Sequence, residues 1–389
     1  MKKSLVKLLF FDIKGLLITN VSVYNCICKK HVQEDNMKKL LKAFAAGLLI
    51  VSMAACASTE TETTDETMDS TTETTETEQE AEKVTRKIGV SIYKFDDNFM
   101  TFYRNDLQAY FEELSANGDV QYDVTIMDGK NDQAEQTNQI DNFIAQGSDA
   151  LIINLVQSSS ASSVIDKCEE ANIPCIFINR QPTDEDMTAK DGTDYEGMYA
   201  YVGADARQSG KMQGSIIANL PDKGDINGDG VLSYIMIQGD PENVDAQYRT
   251  DFSISEYKAL TGLEVNELDL QRGDWDQTKG QEIATNDLTK FGNEIEVIFA
   301  NNDGMALGAV QAIQSAGRVV GEDIYLVGVD AIPDAIDKIN AGLMTGTVKN
   351  DQESQAKEAA DLTIDAINGT KLNEPNHVYM VDYIPYTGE

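Results

Sequence analysis

DINGDGVLSYIMIQG, residues 225–239, opens as a cation-binding loop and closes as a buried strand, and that switch decides the fold. Oxygen-bearing side chains alternate at Asp225, Asn227 and Asp229, followed by the Val231 carbonyl and Ser233. Gly230 takes the sixth place, where a tight loop needs a positive φ. Positions 1, 3, 5, 7 and 9 of such a loop surround Ca2+ with hard oxygens. The Glu expected at the twelfth place is absent, because Met236 stands there. Nor does the loop lead into the helix of an EF-hand: VLSYIMIQG is a short apolar run, the pattern of a buried strand. The loop therefore needs a carboxylate from elsewhere in the chain. A metal-free surface turn rich in Gly, Asp and Asn is the plainer alternative.

Outward from that strand, the chain alternates apolar strands with amphipathic helices from Arg86 to its end. Such alternation predicts an α/β protein with parallel sheets covered by helices on both faces. The rhythm restarts after YAYVGAD (199–205), so two doubly wound lobes facing a cleft are expected. Ligands of such sheets bind beyond the carboxyl ends of the strands. The residues found there are Asp97 and Phe99, Asn179, Asp245 with Arg249 on the same helix face, Trp275, Asn302, Asp330 and Asn350. Planar forks of acceptors and donors beside two aromatics suit a sugar: the forks match vicinal hydroxyls and the rings lie on its C–H faces. Taken singly, Asp97, Asp276 and Asp330 also read as helix N-caps. Asp245 and Arg249 also read as an i, i+4 pair, and Trp275 as a loop plug.

The formal net charge is −35 over 389 residues, which disfavours nucleic acid and anionic membrane surfaces as partners. Residues 37–56, MKKLLKAFAAGLLIVSMAAC, carry the Lys-rich start, apolar run and small residues of an export signal. Met-Ala-Ala-Cys resembles a bacterial lipobox, so Cys56 is the expected lipidation site and the outer face of the cell membrane the expected location. Residues 1–36 do not fit ahead of such a signal, and Met37 is the expected start. Residues 57–85 are rich in Thr and Glu and have almost nothing to bury, as an extended disordered tether would. Cys168 and Cys175 read as separate buried thiols more readily than as a pair.

From about residue 86 to 389 the chain resembles the galactose/glucose-binding proteins, the calcium-containing solute receptors of sugar ABC transporters. The motifs are IGVSIYKFDDNFM (88–100), INLV (153–156), DINGDG, DAQYRT (245–250), IEVIFANNDGMALGAV (295–310), VGVDAIPDA (327–335) and GTVKND (346–351). The resemblance implies a type I periplasmic binding protein fold joined by three crossing strands, near Val202–Asp205, Thr347–Asn350 and Val381–Ile384. One lobe would hold 86–203 plus 350–381, the other 204–349 plus 382–389. It implies sugar contacts at Asp97, Phe99, Asn179, Asp245, Arg249, Trp275, Asn302, Asp330 and Asn350, with Phe99 and Trp275 sandwiching the ring. It also implies that Glu296 completes the site of a structural Ca2+. Two positions depart from the family. Asn243 stands where the family has His against the hydroxymethyl oxygen, and Ser233 where it has a longer Gln.

The implied partners are galactose or glucose, a membrane permease and a chemoreceptor, with the protein itself a monomer. Ribose, xylose or methyl galactoside are the alternative ligands. An enzyme using Asp97 and Asp245 as a glycosidase pair is a rival class. Against it, the chain has only His31 and His377, and neither a Gly-x-Ser-x-Gly elbow nor a Gly-x-Gly-x-x-Gly after the first strand. The effector lobe of a repressor would share the fold, but the export signal and the lack of a DNA-binding head oppose it.

Overall fold

The computed structural model describes residues 83–388. The expectations for residues 1–36, the export signal, Cys56 and 57–82 lie outside the described residues. Short apolar runs set the architecture. β3 (Ala150–Ile153) and β4 (Cys175–Ile178) are buried along their whole length, as strands covered on both faces must be. They lie inside a six-stranded parallel sheet with β1 (Val84–Ile92), β2 (Val120–Asp128), β5 (Tyr199–Gly203) and β11 (Val378–Met380), in the order β11-β5-β4-β3-β1-β2. At the edge, β2 alternates exposed and partly buried residues over much of its length. β1 begins at Val84 and pairs Val84 with Val120 and Thr85 with Gln121, so the last two residues assigned to the tether belong to the sheet.

Helices α1 (Asn98–Asn117), α2 (Gln133–Ala145), α3 (Ala161–Ala171) and the short α4 (Asp184–Met187) belong to this first lobe. On α1, Phe99, Tyr103, Leu107 and Phe111 recur every fourth residue, and this stripe turns inward onto one face of the sheet. The other face is closed by Ile140, Phe143, Ile165 and Cys168. Cys168 and Cys175 are buried, free thiols.

The second lobe has a four-stranded parallel sheet of β6 (Val231–Gln238), β7 (Glu264–Arg272), β8 (Val297–Ala300) and β9 (Tyr325–Val327), in the order β7-β6-β8-β9. Alternate residues of β6 enter different cores: Ile235 and Ile237 one, Leu232, Tyr234 and Met236 the other. Helices α5 (Ala206–Ala218), α6 (Val244–Thr261), α7 (Gln277–Phe291), α8 (Asp303–Ser315) and α9 (Pro333–Asn340) cover it. β10 (Thr347–Lys349) pairs antiparallel with β12 (Ile384–Tyr386), while α10 (Gln352–Ile367) packs back on α1. The chain thus passes between lobes after β5, after β10 and between β11 and β12. The apolar pattern of VYMVDYIPY (378–386) is that of one closing strand, but it forms two short strands in different sheets, because residues 381–383 cross between lobes.

Candidate functional site

Every group at the interlobe cavity stands just past the carboxyl end of a strand. After β1, Asp97 caps α1 by accepting from the Met100 N–H at 2.8 Å, and its other oxygen accepts from the Tyr93 hydroxyl at 2.6 Å. Capping and site-lining are thus one role, since the helix start holds the carboxylate at the cavity. Phe99, in the first turn, is buried. After β4, Asn179 takes a left-handed backbone (φ 61°), and its side-chain oxygen accepts from Asn154 Nδ2 at 3.1 Å.

The second lobe supplies the rest. Asn243 caps α6 through the Asp245 N–H at 3.1 Å. Arg249 is buried and donates to the Asn301 carbonyl at 2.7 Å and the Tyr383 hydroxyl at 3.0 Å. Its guanidinium lies 3.9 Å from Asp245, 3.8 Å from Asp330 and 5.6 Å from the Trp275 ring centre. Asn302 caps α8 and donates to the Trp275 carbonyl at 3.3 Å. Asn350 donates to Asp330 at 3.3 Å and accepts from Gln355 Nε2 at 2.6 Å. Asp330 is not the helix cap its position suggested: α9 starts after Ile332, and Asp330 has φ 122°. Asp276 does cap α7, through the Lys279 N–H, and does not line the cavity.

All ten residues read from the sequence line one cavity between the lobes. Two more line it that the strand-end reading passed over, Tyr93 and Arg180. The signal was present, since Tyr93 follows β1 and Arg180 follows Asn179 after β4. Arg180 is 1% exposed, yet its Nε and Nη2 have no hydrogen-bond partner, as is true of Arg249 Nε. Burial pushes Asp245 up to about 6 despite Arg249 and Arg180. It pushes Asp330 up to about 7, again against the pull of Arg249. The site therefore holds bare donors beside carboxylates that burial makes costly to ionise. Both are relieved by a neutral polyhydroxyl ligand that accepts from the first and donates to the second.

A model described as the periplasmic binding protein domain matches residues 88–371. The chain belongs to the periplasmic binding protein family. The D-galactose/methyl-galactoside binding periplasmic protein MglB of Haemophilus influenzae is 35% identical to it, over 78% of this chain and 88% of that protein. A putative rhizopine-binding protein of Rhizobium meliloti is 32% identical, over 77% and 88%. The solved ABC transporter solute binding protein of Bacillus halodurans with bound myo-inositol superposes with a TM-score of 0.64 at 28% identity, covering 79% of this chain and 96% of that one.

In this periplasmic binding protein the DINGDG stretch is a tight loop leading into β6. Gly230 has φ 87°, the conformation its place in the motif requires. Asp225 accepts from the Gly228, Asp229 and Gly230 N–H groups at 2.9–3.1 Å. Asn227 accepts from the Asp229 N–H, and Asp229 from the Val231 N–H. Glu296, just ahead of β8, reaches the loop and accepts from the Asn227 and Ser233 N–H groups at 3.0 and 2.9 Å. Burial pushes the Glu296 carboxyl upward, and the Asp225 and Asp229 charges add to this. Val231 and Ser233 open β6, and the Ser233 hydroxyl lies 3.4 Å from Asn266 Nδ2. Among the described residues no three His, Cys, Asp or Glu side chains are drawn together as a ready metal cluster. The donor set is all hard oxygen with three carboxylates, which fits Ca2+ and does not fit a thiophilic or imidazole-seeking metal.

Proposed function

We propose that this periplasmic binding protein is the extracytoplasmic receptor of a sugar ABC transporter, closing on one galactose- or glucose-type hexose and handing it to a membrane permease. The observation that carries this is the lining of the cavity: Phe99, Tyr93 and Trp275 together with Asp, Asn and Arg forks from both lobes. A hexose offers flat C–H faces to the aromatics and a rim of hydroxyls to the forks. Each hydroxyl or buried N–H left unmatched costs about 1–3 kcal/mol, so the array selects as well as binds. Binding draws the lobes together through the three crossings, a hinge closure. Chemistry on the sugar is disfavoured because the cavity acids already cap helices or face Arg249. The described histidine, His377, is bonded to Leu372 and Asp191 and does not line the cavity.

In this reading the DINGDG loop holds a structural Ca2+ through Asp225, Asn227, Asp229, the Val231 carbonyl and Glu296, with Ser233 reaching it through water. The ion would draw the Asp225, Asp229 and Glu296 carboxylates together, offset the repulsion that raises Glu296, and tie the loop to β8. Cys56 carries the lipid anchor in this reading, and no helix among the described residues is long and apolar enough to cross a membrane.

Calorimetry against galactose, glucose, ribose, xylose and methyl galactoside tests the reading. A hexose should bind best, and Trp275→Ala should abolish its heat. Tightest binding of a pentose would move the ligand class, and product formed from any sugar would defeat the receptor reading altogether.

A further inference from the structure

Arg180 belongs to the first lobe and is fixed there. Its Nη1 donates to the Val156 carbonyl at 2.6 Å, and its guanidinium stacks 3.9 Å from the centre of the Tyr93 ring. Neither contact supplies a counter-charge. Its one ion pair among the described residues crosses the cleft, Nη2 to Asp240 Oδ2 at 3.6 Å. Asp240 follows β6 in the second lobe and is equally fixed: its other oxygen accepts from the Glu242 N–H and from Arg272 Nη2, both at 3.1 Å. Both members of the pair are buried, while Arg272 is half exposed at the rim. The pair stands where the sugar cavity meets a second depression at the cleft mouth, the two sharing Tyr93, Arg180 and Trp275. Apart from Lys349 and Asp351, which lie at one crossing, it is the only ion pair among the described residues that spans the lobes.

Given the receptor reading above, we infer that Asp240 is a positioning residue that acts through Arg180. From the opposite lobe it fixes the guanidinium edge that faces the sugar and latches the closed form. The physical reason is the environment of the guanidinium. A buried cation without a counter-charge in its own lobe is costly, so Arg180 favours the arrangement that brings Asp240 to it. At 3.6 Å the two attract without a hydrogen bond, which leaves Arg180 Nε and Nη2 for ligand oxygens. Without Asp240 the closed form would keep a guanidinium buried and unpaired, and opening would relieve it. The pair therefore contributes to the barrier for opening, and its loss should appear in the rate at which sugar leaves.

The test compares wild type with Asp240→Asn, Asp240→Glu and Arg272→Gln by calorimetry and stopped-flow release of galactose and glucose. Asp240→Asn should weaken the preferred hexose about tenfold, almost wholly through faster release, with the melting temperature of the sugar-free protein unchanged. Asp240→Glu should restore most of the loss, and Arg272→Gln should cost only a few-fold. Release within about twofold of wild type, or a loss matched by a lower sugar-free melting temperature, overturns the inference. A wild-type protein that takes neither hexose counts against the hexose reading itself.

Discussion

Three of the cavity residues, Asn179, Trp275 and Asp330, hold left-handed or nearby positive φ values of 61°, 65° and 122°. For Trp and Asp this is strained backbone, which persists only where surrounding contacts over-determine it and which gathers at binding sites. Trp275 is held by its neighbours in a particular way. Its ring lies over Gly239, where any Cβ would stand 2.1 Å from the indole, so the Gly ending DINGDGVLSYIMIQG is there to admit the aromatic plate. Away from the cavity, Asp287 on α7 is buried, one of its oxygens unpartnered, and faces Asp269. Burial first, and then the Asp269 charge, push its carboxyl up to about 7. An acid that is harder to ionise in the folded than the unfolded chain binds its proton more tightly when folded. Its stabilising contribution is therefore complete at acid pH and is lost as pH rises through about 7. Urea denaturation between about pH 5 and about pH 8 should show wild type losing more stability than Asp287→Asn over that window. Parallel pH profiles for the two would refute this.

Among the elements, the loop ahead of β6 separates local signals from distant ones most sharply. Local pattern was enough to set Asp225, Asn227 and Asp229 in one tight loop, and to pick Gly230 as the residue at positive φ. It was not enough to find Glu296, which lies 63 residues beyond Ser233 and arrives only because β8 pairs with β6. The family resemblance, and not the spacing, named it. If calcium is held there, a chelator should lower the melting temperature of the purified protein by about 5 °C or more, as loss of any ligand bound to the native state does. Glu296→Gln should start at the lower temperature and ignore the chelator. A melting curve indifferent to both calcium and chelator would rule the ion out. Asp330 makes the complementary point about elements. An Asp just after a strand and before a helix reads as an N-cap, yet α9 starts three residues later at Pro333, and Asp330 is left to face Arg249.

At the scale of the whole molecule, the third crossing carries a residue with a part in the site. Tyr383 lies between β11 and β12 and is buried. Its N–H donates to Gln208 Oε1 at 2.8 Å, and its hydroxyl accepts from Arg249 Nη2 at 3.0 Å. A guanidinium that faces the cavity is thus steadied by a segment that crosses between the lobes. Tyr383→Phe removes one charge-assisted hydrogen bond and should weaken hexose binding about tenfold, with little change in the sugar-free melting temperature. Calorimetry on the variant checks this, and unchanged affinity would separate hinge from site.

The sequence alone determined the two-lobed α/β plan and nine of the cavity residues, because strand ends and helix caps are local signals and a doubly wound sheet sends them all to one edge, while the family resemblance added Asn243. The buried inner strands were legible for the same reason, since apolar runs bounded by polar turns need no partner to be recognised, whereas the start of β1 and the division of the last strand were not. Only the tertiary structure decided that Tyr93 and Arg180 join the cavity, that VYMVDYIPY divides between two sheets, and that Asp240 and Tyr383 touch arginines of the site. Those facts depend on which residues meet across a cleft or a crossing, and contacts between distant segments leave no period or spacing in the chain.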